Sequence, residues 1–290
     1  MSDRSSKPLI PLAVTDHRRD ILGLTYVYPV VSRRAGGVSV GVNLNPNNAC
    51  NWRCIYCQVP NLIRGNAPEL DLVQLEGELA GMLDEIVNGD FMQRNVPEEA
   101  RRLNDIALSG NGEPTSSKQF AAVIELIGRQ LAAYELMGKI KLVLITNGSQ
   151  LYKPAVQEAV ARMQAMNGEV WFKFDRAPVD GMSEVNQIAL TPTQIKRHLL
   201  AATERCETWI QTCMFAIDGQ APSESEQQAW LDLLAEAMEE GAKPAGVLLY
   251  GLARASTQPE APRLSALPAA WMQAFAGRIE QLGLRVKLSV

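Results

Sequence analysis

The chain has 290 residues, of which 47% are hydrophobic and 21% are charged, and its formal net charge is −4. This composition is that of a folded protein with one large domain or two small ones, and it excludes long disordered stretches. No apolar run of 18 residues and no signal-peptide layout is found, so we expect a cytoplasmic protein with no membrane partner, and the negative charge argues weakly against bulk nucleic-acid binding.

The first 65 residues differ in charge from the rest of the chain. They contain eight basic and three acidic residues, a net charge of +5 that leaves −9 for the remainder. Two interpretations stay open: a basic rim suited to an anionic substrate, to which Arg33 and Arg34 would contribute, or ordinary solvated charges. Residues 1–35 contain three prolines and show no period, so we expect an irregular N-terminal segment there.

From residue 36 onward, apolar runs of strand length alternate with segments of helical period. We predict strands over Val38–Leu44, Asn104–Leu108, Ile140–Ile145, Glu169–Phe174, Thr208–Phe215, Ala245–Tyr250 and a short seventh over Arg285–Leu288. Between them we predict helices over Leu70–Asn88, Lys118–Met137, Pro154–Met166, Thr191–Thr203, Ser223–Glu240, where Ser223 and Glu226 form a capping box, and Pro268–Leu282.

Strands that alternate with helices of 12 or more residues form βαβ units around a parallel sheet. We therefore predict an α/β protein whose core, residues 36–250, is a partial (β/α)6 TIM-like barrel. A C-terminal helix–strand extension over residues 251–290 would pack on that barrel. An open doubly wound sheet is the alternative. Short polar motifs follow five successive strands, and barrel active sites gather at the carboxyl ends of strands, which favours the barrel.

Three of the five cysteines, Cys50, Cys54 and Cys57, follow the first predicted strand with the spacing C-x3-C-x2-C. Thiolates are the ligands of iron–sulfur clusters and of zinc, and a disulfide is improbable in a reducing compartment. Structural zinc normally takes four ligands. The other candidate ligands are distant along the chain: His17, His198, Cys206 and Cys213. An iron–sulfur cluster with one open iron is therefore favoured over a zinc site or a purely structural cluster.

The cysteine loop, with an aromatic residue at Tyr56, resembles the signature of the radical S-adenosylmethionine (SAM) superfamily. Three further segments resemble motifs of that superfamily: the GNGEP sequence at Gly110–Pro114, the TNG sequence at Thr146–Gly148 and the KFD sequence at Lys173–Asp175. The resemblance runs from about Ser32 to Phe215. The segments SRR at residue 32, GVN at residue 41 and GNGEPT are also similar to a subgroup related to the wyosine tRNA-base enzymes.

The resemblance implies that Cys50, Cys54 and Cys57 ligate a [4Fe–4S] cluster and that SAM chelates the fourth iron. One electron from a flavodoxin- or ferredoxin-like donor would cleave SAM to methionine and a 5′-deoxyadenosyl radical, which abstracts hydrogen from substrate, as in an oxidoreductase or transferase. The residues that the resemblance assigns to the SAM site are Tyr56 near the adenine, Gly110, Asn111, Gly112 and Glu113 near the methionine amino group, and Asn147, Lys173 and Asp175 near the ribose or carboxylate.

The substrate is not identified by any motif. The basic N-terminal segment and the wyosine-like subgroup favour an RNA base or nucleotide, whereas the acidic remainder and the lack of an RNA-binding module favour a peptide, a protein or a small metabolite. Gln211 is a candidate substrate contact, and Cys206 and Cys213 are interpreted as buried packing residues. A non-enzymatic iron–sulfur protein of electron transfer or sensing is the alternative from another class.

Overall fold

In the computed structural model of the protein, which describes residues 23–32, 36–177 and 179–289, one eight-stranded sheet organises the chain. Within these ranges there are twelve strands: β1 Val27–Ser32, β2 Gly37–Val42, β3 Ala49–Cys50, β4 Ile63–Arg64, β5 Leu103–Leu108, β6 Lys141–Thr146, β7 Gly168–Lys173, β8 Glu207–Cys213, β9 Ala216–Ile217, β10 Gly246–Tyr250, β11 Leu264–Ser265 and β12 Val286–Ser289. The short pairs β3–β4 and β9–β11 lie outside the main sheet.

In the part of the chain that the structure describes, eight α-helices connect and cover these strands. They are α1 Leu72–Val87, α2 Phe91–Asn95, α3 Phe120–Ala133, α4 Pro154–Gln164, α5 Val179–Val185, α6 Pro192–Thr203, α7 Glu224–Glu239 and α8 Ala269–Glu280. The longer helices are amphipathic, and side-chain caps close the N-termini of α1, α6 and α7 at Asp71, Thr191 and Ser223. The predicted capping box of Ser223 and Glu226 is confirmed at the start of α7, and Pro154 occupies the first turn of α4.

The main sheet has the order β1-β2-β5-β6-β7-β8-β10-β12, and all neighbours from β2 to β12 are parallel. The seven parallel strands are the seven that the sequence predicts. Their order follows the chain without reversal, so right-handed crossovers place every connecting helix on the same face. A doubly wound sheet would reverse its order at a switch point. The partial TIM-like barrel is therefore confirmed, and the doubly wound alternative is wrong.

The two faces of the sheet differ because successive side chains of a strand alternate. On the helix-covered face, apolar residues such as Val40, Ile106, Leu144, Ile210 and Leu249 belong to one large buried cluster. The opposite face is more polar. Every parallel strand of the main sheet except β12 contributes polar, charged or aromatic side chains to it: Ser39, Asp105, Lys141, Trp171, Lys173, Gln211 and Tyr250. The site described below lies at the carboxyl end of this second face.

The prediction of irregular chain up to residue 35 is wrong for Val27–Ser32, which forms the antiparallel edge strand β1. Pro29 obscured this strand in the sequence, but an edge strand tolerates proline because one side of its backbone needs no ladder partner. Residues 1–22 and 33–35, including Arg33 and Arg34, lie outside the described part of the chain.

The C-terminal residues after β10 do more than pack on the barrel, because β12 adds a parallel strand to the sheet beside β10. Helices α2 and α5 were not predicted, since both are short and lack a full period of apolar residues. Within the described ranges, no helix combines the length and apolarity needed to cross a membrane.

Candidate active site

The loop that bears Cys50, Cys54 and Cys57 follows β2 at the carboxyl end of the sheet. It is closed on itself by the bridge between β3 and β4, in which the Gly65 amide donates to the Cys50 carbonyl at 3.0 Å. The Cys57 amide donates to the Cys54 carbonyl at 3.0 Å, a tight turn between the last two cysteines. All three thiols are free and half-buried. The local hydrogen bonds therefore present three sulfur atoms from one folded loop.

Apolar side chains between the cysteines anchor this loop to the body of the protein. Trp52 is 2% exposed and belongs to the main core, while Ile55 is 1% exposed and packs in a second cluster with Tyr56, Val185 and Phe215. Burial of two large side chains on a loop fixes its backbone, because each contributes about 1.5–3 kcal/mol of transfer free energy. The sulfur positions are thus set by packing as well as by hydrogen bonds.

A C-terminal segment, Arg254–Glu260, which we call the strap, runs over the cysteine loop. Ser256 Oγ donates to the carbonyls of Ile55 and Cys57 at 2.8 and 3.0 Å, and the Thr257 amide donates to the Cys57 carbonyl at 3.0 Å. The guanidinium of Arg53 forms two hydrogen bonds of 3.0 and 3.1 Å with the carboxylate of Glu260. The strap therefore satisfies loop carbonyls that the short bridge β3–β4 leaves open.

The two glycines of the GNGEP motif are required by close contacts within the protein. A Cβ atom on Gly112 would lie 2.0 Å from the carbonyl oxygen of Ala49, immediately before Cys50. A Cβ on Gly110, whose φ is +157°, would lie 2.3 Å from Asn43 Oδ1. That same oxygen accepts a hydrogen bond from the backbone amide of Asn111 at 3.0 Å. The motif consequently packs directly against the start of the cysteine loop.

Glu113 is buried and ties two motifs together. Its carboxylate accepts hydrogen bonds from the Thr146 hydroxyl at 2.6 Å and the Asn147 amide at 2.7 Å, and also from the amide and hydroxyl of Thr115. Burial raises the pKa of this carboxyl, and the Thr115 and Thr146 hydrogen bonds oppose that rise. The Asn147 side chain in turn donates to Asn51 in the cysteine loop at 2.9 Å. Glu113 thus joins the ends of β5 and β6.

The KFD segment and the cysteine loop meet in a second network. Tyr56 donates from its hydroxyl to Asp175 Oδ2 at 2.5 Å, and the Lys173 ammonium donates to the hydroxyls of Tyr56 and Tyr250 at 3.0 and 3.1 Å. Asp175 is fully buried and also accepts from the Cys213 amide at 2.9 Å. Lys173 is half-buried. Burial lowers the pKa of Lys173, but Tyr250, Asp175 and Cys54 together outweigh it and raise that pKa above its ordinary value, so the ammonium stays charged.

The sequence did not identify two residues that organise this site. Asn43, at the end of β2, accepts backbone hydrogen bonds from Asn45 and Asn111 and so links the cysteine loop to the GNGEP motif. Asn186, just after α5, donates to Cys54 Sγ at 3.2 Å and to Asp175 Oδ2 at 2.9 Å. Asn43 ends the GVN segment, but nothing in the sequence indicates what its side chain does, and Asn186 has no motif around it. Tertiary contacts alone show the role of both.

The donor set fits an iron–sulfur cluster better than a single metal ion. In the ranges that the structure describes, no three His, Cys, Asp or Glu side chains are grouped closely enough to hold one metal ion. Burial raises the pKa of the Cys50 thiol to about 12 and raises that of Cys54 as well. A cationic cluster would be needed to hold these buried sulfurs as thiolates, which is the form that binds metal.

The remaining candidate residues lie in other places. Cys206 is buried in the core, where burial raises the pKa of its thiol to about 12, and Cys213 packs in the cluster around Tyr56. Gln211 lies on the polar face beside Lys173, and its buried Oε1 has no partner within the described chain. Two basic residues of the first 65, Arg53 and Arg64, are bound to protein groups, Arg53 to Glu260 and Arg64 to backbone carbonyls.

Comparisons with known proteins give partial relatives and a shared fold. No family model matches the chain. A UPF0026 protein of Helicobacter pylori is 29% identical over 133 residues, which cover 46% of this chain and 37% of that protein. A UPF0026 protein of Synechocystis is 25% identical over 162 residues, 56% of this chain and 52% of that protein. The chain thus spans roughly a third to a half of the length of the curated relatives it matches.

Two solved structures share the fold over most of the chain. A radical SAM methyltransferase from Sphaerobacter thermophilus superposes with a TM-score of 0.57 at 14% identity, covering 91% of this chain and 68% of that one. The structure of TYW1 with a lysine–pyruvate adduct bound superposes with a TM-score of 0.54 at 14% identity, covering 87% and 74%. These likenesses confirm the fold that the motifs predict.

Proposed function

From the radical SAM fold of this chain and the three thiols at its strand ends, we propose that the protein is a radical SAM enzyme. Cys50, Cys54 and Cys57 would hold a [4Fe–4S] cluster, which supplies the electron for reductive cleavage of SAM. The observation that supports this most directly is the cysteine loop itself, which presents three free thiols from one folded segment. Three thiolates on a four-iron cluster would leave one iron open. An open iron is what a ligand such as SAM requires.

The site residues have distinct tasks in this proposal. Lys173 would bind a carboxylate, because two of its three ammonium donors are used by tyrosines and the third is left for a ligand. Asn111, which is half-buried at the tip of the GNGEP motif, would face the same ligand. Glu113 and Asp175 are buried and hydrogen-bonded within the protein, so we assign them to orienting the TNG loop and Tyr56. The strap and the packed loop would exclude water.

Anaerobic reconstitution tests the proposal. Protein loaded with iron and sulfide, reduced with dithionite and given SAM should release 5′-deoxyadenosine, measured by liquid chromatography with mass spectrometry. Cys54→Ala should lose both the cluster and the product. Cys206→Ala is the matched control, since Cys206 lies in the core away from the loop, and it should retain both. A wild-type protein with a full cluster and no product would overturn the proposal in favour of an electron-transfer or sensor protein.

We further propose that the substrate is an RNA base or nucleotide. Support comes from the polar face beside Lys173, where the buried Oε1 of Gln211 has no partner within the described chain and where Trp171 and Tyr250 lie on the neighbouring strands β7 and β10. An amide edge and aromatic side chains on one face are groups that bind a splayed-out base. The net +5 charge of the first 65 residues suits phosphate.

Binding of total tRNA across a salt series tests this substrate class. We expect affinity to fall steeply as salt rises, because phosphate contacts release counterions. Gln211→Ala should weaken turnover of the bound RNA without changing the salt slope. No binding, or binding that is independent of salt, would contradict the RNA proposal and favour a peptide or small metabolite.

A further inference from the structure

The side chain of Asn186 contacts a proposed cluster ligand directly. Its amide nitrogen lies 3.2 Å from Cys54 Sγ and 2.9 Å from Asp175 Oδ2. Both of these neighbours are acceptors when the thiol is deprotonated and the carboxyl is ionised. Only the NH2 group of the amide can satisfy them, so the orientation of the side chain is fixed by its surroundings. The contact is therefore an N–H···S hydrogen bond to the sulfur.

The backbone around Asn186 is held against the same loop. The Asn186 carbonyl accepts from the Arg53 amide at 3.3 Å, and the Val185 carbonyl accepts from the Ile55 amide at 2.9 Å. These two bonds flank Cys54 in the sequence. Val185 at the end of α5 and Asn186 just after it are thus paired with the cysteine loop on both sides of Cys54. The side-chain amide of Asn186 cannot move away from the sulfur without breaking this backbone pairing.

The oxygen of the Asn186 side-chain amide makes no compensating hydrogen bond within the described chain. Asn186 is fully buried, and its Oδ1 has no hydrogen-bond partner within the described chain. A buried acceptor without a partner is unfavourable, so packing alone would favour an apolar residue of similar size. The role that accounts for an amide here is donation by its nitrogen.

We propose that Asn186 is a positioning residue that raises the reduction potential of the cluster through its N–H···S bond to Cys54. This inference rests on the proposed function, because it takes Cys54 as a cluster ligand. A hydrogen bond to a ligating sulfur withdraws electron density and stabilises the more negatively charged, reduced cluster. Asp175 holds the amide in place by accepting its second N–H.

The same hydrogen bonds connect the sulfur to the ligand side of the site. Asp175 Oδ2 also accepts from Tyr56, and Lys173 donates to Tyr56. A ligand that neutralises Lys173 would therefore act on a network that ends at Cys54. This arrangement couples occupancy of the site to the ease of reducing the cluster.

A potentiometric titration of the reconstituted protein, followed by EPR and made without SAM, tests the proposal. Asn186→Leu keeps the branched shape and the number of heavy atoms and removes the donor, and its midpoint potential should shift to a more negative value than that of the wild type. Gln187→Met is the matched control: it removes a side-chain hydrogen bond of the neighbouring residue to Glu260 that does not reach a sulfur. Its potential should equal that of the wild type. An unchanged potential in Asn186→Leu at full cluster content would overturn the proposal.

A second measurement does not depend on a stable variant. Wild-type protein labelled with 15N in its asparagine side chains should show a 15N hyperfine coupling to the reduced cluster, transmitted through the N–H···S bond. A cluster without that coupling would contradict the proposal even if Asn186→Leu fails to load. Neither measurement uses SAM cleavage, so a coupled cluster that releases no 5′-deoxyadenosine would overturn the proposed function and leave this inference standing.

Discussion

At the scale of single residues, the site is organised by side chains that contact protein groups at least as much as they face a ligand. Gly112 makes room for the backbone before Cys50, Glu113 holds the TNG loop, and Asp175 holds Tyr56 and Asn186. The GNGEP and TNG motifs therefore form one packing unit around the cysteine loop. Replacement of one residue of this unit should lower the amount of bound cluster while the rest of the fold is retained.

Gly112→Ala tests this packing. Its Cβ would lie 2.0 Å from the Ala49 carbonyl oxygen, so the backbone before Cys50 must shift. We expect iron content per chain to fall several-fold after reconstitution, with the far-ultraviolet circular dichroism unchanged. Gly77→Ala is the control, because nothing lies within 4 Å of a Cβ at that helical position. It should load iron fully and gain about 0.5–1 kcal/mol of stability. Full iron loading of Gly112→Ala would contradict the argument.

Lys173→Met tests the assignment of a carboxylate-binding ammonium. Loss of a charge-assisted hydrogen bond is worth roughly 1.5–3 kcal/mol, which corresponds to roughly 10- to 100-fold weaker binding of SAM to the cluster-loaded protein. Equilibrium dialysis measures this affinity directly. Lys153→Met, which changes an exposed lysine at the start of α4, should bind SAM as the wild type does. Equal affinities of Lys173→Met and wild type would remove Lys173 from the binding site.

At the scale of elements, the polar face of the sheet has a titratable group of its own. Asp105 on β5 is 5% exposed and accepts a hydrogen bond from Ser39 on β2. Burial raises the pKa of this carboxyl to about 6 from its ordinary value of 3.8, against the effect of the Ser39 bond and with a smaller contribution from Glu169. Between these two values the folded protein binds more protons than the unfolded chain. The free energy of unfolding therefore falls as pH rises through this window.

Asp105→Asn should remove that dependence. A shift of about two pKa units corresponds to on the order of 2–3 kcal/mol, so the variant should gain stability relative to the wild type by up to that amount between pH 4 and pH 7. Urea denaturation at each pH measures the difference. Glu280→Gln, an exposed carboxyl on α8, should show no such trend. A constant difference between Asp105→Asn and wild type across the range would show that Asp105 titrates normally in the fold.

Elements of strong period were predictable from the sequence, and elements defined by tertiary pairing were not. All seven parallel strands and the six long helices lie where their apolar periods indicate, within a few residues. The edge strand β1 was missed because Pro29 suggests irregular chain, and the bridge β3–β4 because two residues have no period. The thiols were identified from their spacing and the strand-end motifs from their resemblance to a known superfamily, whereas the roles of Asn43, Asn186 and the strap become recognisable only through contacts.

At the scale of the whole molecule, three segments distant in sequence converge on the cysteine loop. They are the GNGEP and TNG motifs at the ends of β5 and β6, residues 182–187 at the end of α5 and just beyond it, and the strap before α8. A bound cluster would restrain all three, because each is hydrogen-bonded to the loop that holds it. Ligand binding to the folded state stabilises it by mass action, and a metal site formed by folding couples the two.

Hydrogen–deuterium exchange with and without the cluster measures this convergence. We expect protection on cluster loading in the loop at residues 50–60 and in the three segments that converge on it: residues 110–114 with 146–148, residues 182–187, and the strap. We expect little change in α7 and α8, which lie outside these segments. Without the cluster we expect the loop to be less ordered, so that its carbonyls no longer hold the donors of the strap. Unloaded Cys54→Ala and unloaded wild type should therefore exchange equally fast in all three segments. Protection confined to residues 50–60 would contradict the prediction. It would mean that the cluster orders the loop without ordering the strap and residues 182–187, which pack on it. Uniform protection of the whole chain would instead indicate global stabilisation, and the cluster would then act on the fold as a unit and not through the three converging segments.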